Sequence, residues 1–158
     1  MYGRRLVDLK RFVLISPEIV CALLVALLHQ RHPDWFGTIA ISLREAEGLP
    51  GYIGALPFAL VIASYTLGTS ILRPGSEEEN KVIYEWPLYW AVEARVYGSM
   101  LVCALGCVVS ILFYLNPAEW SDSASGAILV GAVIVSVITV ATLLIGKMTL
   151  RKILTLYG

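Results

Sequence analysis

The sequence predicts an all-α membrane protein, a bundle of four transmembrane helices with both termini in the cytoplasm. Three observations predict it. The windows Leu49–Leu72, Val96–Ala118 and Ser123–Gly146, of 23 to 24 residues each, carry no charged residue, and a helix needs roughly 20 apolar residues to cross a bilayer. Of the 158 residues, 58 % are hydrophobic and 15 % charged, with a mean hydropathy of +0.75; an average soluble domain is near half apolar and about a quarter charged. With four crossings drawn, ten of the twelve basic residues fall on one side, and Arg31 and Arg44 alone on the other. That asymmetry fixes N-in/C-in by the positive-inside rule and places the chain in the cell (inner) membrane.

A soluble enzyme, a nucleic-acid binder and a disordered tail are excluded by this composition. The formal net charge is zero, so no global field points to an anionic partner. The length suits one membrane domain, 1–158, with no room for a soluble catalytic module. Cys21, Cys103 and Cys107 all lie in apolar stretches, and an odd count there argues against a disulfide framework.

The first segment is expected over about 12–28. Arg4, Arg5, Lys10 and Arg11 precede the apolar run 19–28, as in a signal peptide, but no small-x-small cleavage site follows. It reads as an uncleaved first membrane helix. Ser16-Pro17-Glu18 resembles an N-cap, a first-turn proline and a dipole-favoured acid. A helix starting there keeps only ten solidly apolar residues, ~15 Å, half of a ~30 Å core. The preferred reading is therefore one long helix kinked at Pro17; the other is an interfacial helix that breaks at Ser16.

Loop one, 29–48, is long for a bundle connection. Asp34 can cap a short helix on which Trp35, Phe36, Ile39, Leu43 and Ala46 recur at three and four. That pattern suits a helix in the outer interface anchored by Trp35, or else an ordered loop over the mouth of the bundle.

The second helix, 49–72, carries Gly51, Ala55, Ala59 and Ala63 at four-residue spacing, which lets another helix approach closely. Pro57 is expected to bend it. The third, 87–115, repeats the device with Ser99, Cys103 and Cys107. Its 29 residues reach ~43 Å, so its start is expected to project into the cytoplasm. The fourth, 124–147, presents Ser136, Thr139 and Thr142 along one side. Small faces in excess of one bundle's needs point to a homo-oligomer of two to four copies.

The cytoplasmic loop 73–86 ends in an aromatic cluster that runs into the third helix: Tyr84, Trp86, Tyr89 and Trp90 within seven residues. It reads as a headgroup belt or as a docking surface for a soluble partner, rich in hot-spot residue types.

Glu18 is the ionisable residue that the first segment must carry inside. An acid there is costly unless protonated, paired or facing water. It is a proton or cation site, an ion-pair partner at a subunit seam, or a side chain that snorkels to the cytoplasmic face to pair with Arg11 or Arg95. His29 and His32, three apart, share a helical face as metal ligands do, but Pro33 and the lack of further ligands leave no metal expected. No phosphate loop, nucleophile–base pair or zinc motif appears, so no catalysis and no cofactor are expected.

Glu18 and the helix count resemble the small multidrug transporters, which implies proton-coupled transport; the long loops and the lopsided basic charge depart from that family. The overall plan resembles membrane components of bacterial anti-phage systems, such as the Kiwa membrane subunit, which implies antiviral defence by architecture alone. Three functions follow as expectations: a homo-oligomeric pore or membrane sensor, a membrane anchor for a soluble protein, and a small transporter.

Overall fold

The computed structural model describes residues 16–46, 49–75, 84, 85, 87, 89–115 and 120–157, with 49–54, 114 and 152–157 described by their backbone alone. The described residues form five helices and no strand: α1 Pro17–Arg31, α2 Pro33–Glu45, α3 Leu49–Leu72, α4 Tyr89–Leu115 and α5 Asp122–Tyr157. Three of them are long and apolar enough to cross a membrane, over Ala55–Leu72, Tyr89–Phe113 and Asp122–Arg151. The architecture is that of an all-helical, multi-pass membrane protein.

The first segment departs from its expected bounds of 12–28. Helix α1 starts at Pro17, not as a kinked continuation of the preceding residues; 12–15 lie outside the described residues. Ser16 sits at φ −71°, ψ 125°, and its Oγ accepts a 3.4 Å hydrogen bond from the Ile19 N–H. A capping serine satisfies a first-turn donor, and proline suits the first helical position. Local capping thus decides where the helix begins. At 15 residues, α1 is ~22 Å long, short of a full bilayer core by its own length.

Helix α2 exists where expected, but its cap and its buried face differ. Its N-cap is His32, without a side-chain bond, while Asp34 sits in the first turn. Phe36 and Ala40 are buried, whereas Trp35 is 63 % exposed. α2 is no free-lying interfacial helix: it packs across the start of α5, where Ala40, Phe113 and Leu129 form a core flanked by Leu43 and Val133. The close approach depends on Gly126. A Cβ there would overlap the carbonyl oxygen of Phe36 and stand 2.9 Å from its carbonyl carbon.

Helix α3 matches 49–72 and runs through Pro57 without interruption. Helix α4 begins at Tyr89, two residues later than the expected 87–115. The expected last helix, 124–147, is the one most exceeded: α5 runs 36 residues, or ~54 Å. It, and not the third expected helix, extends farthest beyond an apolar core.

Helix α5 is the axis of the fold and packs against each of the other four. A second core, Ile71, Leu72, Val96 and Leu143, joins α3, α4 and α5. α3 and α4 also pack on each other, but α1 and α4 scarcely touch. The gap between those two positions the site.

Candidate functional site

The site begins with Glu18. As the second residue of α1 it lies at the helix N-terminus, where the backbone dipole favours an acid. Its carboxylate accepts a 2.6 Å hydrogen bond from Ser16 Oγ at Oε2 and forms an ion pair with Arg95 of α4 at Oε1. Thr142 of α5 closes the cluster, with its Oγ1 3.3 Å from Arg95 Nη2 and 3.4 Å from Glu18 Oε1. The Glu18 side chain is 8 % exposed and that of Arg95 22 %. One polar clasp therefore ties the foot of α1 to both α4 and α5.

Of the partners that the sequence allows for Glu18, Arg95 is bonded to it, and Arg11 lies outside the described residues. The acid's need for a charged partner is met within the chain. Chemically, a carboxylate with a guanidinium and two hydroxyls around it is a structural latch more readily than a free proton carrier.

The other end of α1 is fastened too. His29 Nε2 lies 2.8 Å from Ser123 Oγ, which itself donates a 2.9 Å bond to the Pro33 carbonyl. Nearby, Arg44 of α2 pairs with Asp122, bonds Ser125 Oγ at 3.2 Å and lies 5.0 Å from the centre of the Phe113 ring. His32 stacks on Trp35 at 4.4 Å rather than beside His29. Among the described residues no group of three metal-ligating side chains comes together.

The small-residue faces mostly serve this chain itself. Ser99, Cys103, Ser136 and Thr139 are buried. Cys103 Sγ lies 3.8 Å from the Ser136 carbonyl oxygen, and a Cβ at Gly106 would stand 2.5 Å from Ser136 Oγ. Cys107 is half-buried, and Cys21, Cys103 and Cys107 are all unpaired thiols. Ala55 and Ala59 are exposed on α3 and Ala63 is half-buried. Gly51 falls in the stretch described by backbone alone. In the aromatic cluster, Tyr84 meets Tyr89 edge-on at 5.0 Å, Trp90 is half-buried, and Trp86 lies outside the described residues.

Two cavities occupy the gap between α1 and α4. A cleft of about 210 Å³ is lined by Ser16, Glu18, Arg95, Gly98 and Ser99 among others. A groove of about 420 Å³ continues beside it, between Ala22–Ala26 and Val102–Val109 over an α5 floor that includes Gly131 and Ala132. Sequence reasoning misses both, because a gap between helices leaves no spacing signature.

No protein-family model matches the chain, and neither a curated protein nor a solved structure matches it.

Proposed function

We propose that the chain is a sensor–effector of the cell membrane, crossing it four times with both termini inside, and that α1 is its moving element. The observation that carries this reading is the clasp: α1 rests on α5, barely touches α4, and is fastened at its foot by the Glu18–Arg95 pair. Opening of this polar latch would release the foot of α1 from α4, and a latched element with two positions is what a switch requires.

A crossing by α1, despite its length, is supported by where its ends attach. Ser123 and Thr142 of α5 bond His29 and Glu18, which lie eleven residues or ~16 Å apart on α1, so α1 is fastened to the long α5 near both of its ends. Its side presents Leu23, Leu24, Leu27 and Leu28, all about half exposed, as a lipid-facing surface does. For the topology, an introduced thiol at Ser76 should resist an impermeant maleimide in intact cells while one at Ala118 is labelled; the reverse pattern overturns it.

The sensor reading is tested by distance. With native cysteines replaced by alanine, spin labels at Leu23 on α1 and Leu101 on α4 should report a separation that changes between thin and thick bilayers. A distribution indifferent to thickness removes α1 as the moving element.

Assembly into two to four copies is the companion proposal, supported by the exposed Ala55 and Ala59 on α3. Ala59→Leu blocks close helix approach and should shift the particle mass in detergent to that of one chain. An unchanged oligomer moves the seam elsewhere. A soluble partner docked on Tyr84, Tyr89 and Trp90 is compatible with this reading; a proton-coupled transporter is less so, because the oxygens of Glu18 are already engaged. An architecture of this plan, like that of membrane components in anti-phage systems, suits a sensor of a disturbed bilayer.

A further inference from the structure

The cleft and the groove between α1 and α4 adjoin, with Val102 lining both. We infer that this space holds one acyl chain of a diacyl phospholipid, with an ester carbonyl of the same lipid hydrogen-bonded to Ser99. The inference rests on the chain's place in a bilayer and holds whatever signal α1 transmits.

The order of groups along the groove is that of a phospholipid. Polar residues stand at one end only: Glu18 and Arg95 first, then Ser99, one turn farther along α4, ~6 Å. Beyond Ser99 the walls are apolar throughout, with Ala22 and Ala26 opposite Val102 and Gly106. Headgroup, ester and chain follow one another in the same sequence. Small side chains on three helices leave a trough that lipid, the surrounding solvent of these helices, is at hand to fill.

Ser99 supplies the second observation. Its residue is 3 % exposed, and its Oγ has no hydrogen-bond partner. Other buried hydroxyls in these helices are satisfied: Ser64, Ser110 and Thr139 donate to backbone carbonyls at 2.8 Å. A buried donor left unpaired is costly, and a serine hydroxyl turns between staggered positions about one bond. An acceptor entering the cleft that Ser99 lines would satisfy it.

The test uses the full chain in nanodiscs of dioleoyl phosphatidylcholine with a small share of phosphatidylcholine whose second acyl chain carries a diazirine. After irradiation, adducts should concentrate on residues 102–109 and 127–135, several-fold above those on the exposed α3 surface around Phe58 and Ile62. The Ala22→Phe/Ala26→Phe variant, which fills the trough from its exposed side, should lower groove adducts at least fivefold and leave those on α3 unchanged. Ser99→Ala, which leaves the trough open, should lower them about threefold, and it decides the matter if the filled variant does not fold. Adducts spread equally over groove and α3, groove labelling indifferent to Ser99→Ala, or crosslinks between copies through the groove would overturn the inference.

Discussion

Gly126→Ala is expected to lift α2 off α5 and to be among the most damaging single-methyl changes in the chain. The added Cβ would meet backbone, the carbonyl of Phe36, and would stand 3.3 Å from Ala40 Cβ. A side chain can rotate away from an intruder; a helix backbone has to move as a body. Overpacking of this kind costs about 1–3 kcal/mol and occasionally more, and the upper end is expected here. At roughly 2–4 °C per kcal/mol for a chain of this size, melting in detergent should fall by some 6–12 °C.

Gly98→Ala is the matched control with the opposite sign. A Cβ at Gly98 meets nothing within 4 Å, and alanine is favoured over glycine inside a helix by roughly 0.5–1 kcal/mol. That variant should melt at or slightly above the parent temperature. A second readout follows from Ala40, which is fully buried on the face of α2 that meets α5: a thiol introduced there should react with maleimide only when Gly126 is also replaced. Equal melting of the two glycine variants would mean that α2 is not seated on α5 as described.

How much of this was legible in the sequence varies with the kind of signal. The membrane class was, because charge-free windows are a property of composition that no packing alters. The start of α1 was legible too, in Ser16-Pro17-Glu18, but the length that a bilayer demands pulled the reading toward a kinked continuous helix. The capping serine decides where α1 begins, and α1 is bonded to α5 near both of its ends. Helix α2 could be read from its period, but not its docking face. Gly126, almost ninety residues away in sequence, selects Phe36 and Ala40 over Trp35. The small faces on α4 and α5 were visible as faces, yet spacing on one helix does not say whether the helix opposite belongs to the same chain. Ser99, Cys103, Ser136 and Thr139 turn inward, whereas Ala55 and Ala59 on α3 stay exposed. Arg95 was one of two candidates for Glu18, and a separation of 77 residues is beyond any local pattern.

Glu18→Gln is expected to preserve expression and topology while loosening α1. The run from Ile19 to Leu28 is apolar with or without the acid, so expression and insertion are expected not to depend on it. Glutamine keeps the size and hydrogen-bonding capacity of the acid but carries no charge. Arg95 then loses the Glu18 charge from its surroundings, and stripping one partner from a buried ion pair costs about 3–5 kcal/mol. The retained hydrogen bonds to Ser16 and Arg95 place the expected loss near the lower end of that range. Arg95→Gln should behave alike, from the other side of the pair. The double variant Glu18→Gln/Arg95→Gln should recover a good part of the loss, because both charges of the pair are then removed together. That non-additivity separates a clasp from two unrelated polar residues: without an interaction, the two single losses would simply add. It also separates the clasp from a proton site, in which the double variant would be as inactive as Glu18→Gln, whatever its stability. If the latch also governs the sensor, the spin-label separation between α1 and α4 should broaden in each single variant and narrow again in the double one. Wild-type melting, distances and cellular phenotype in Glu18→Gln would reduce the pair to an incidental contact.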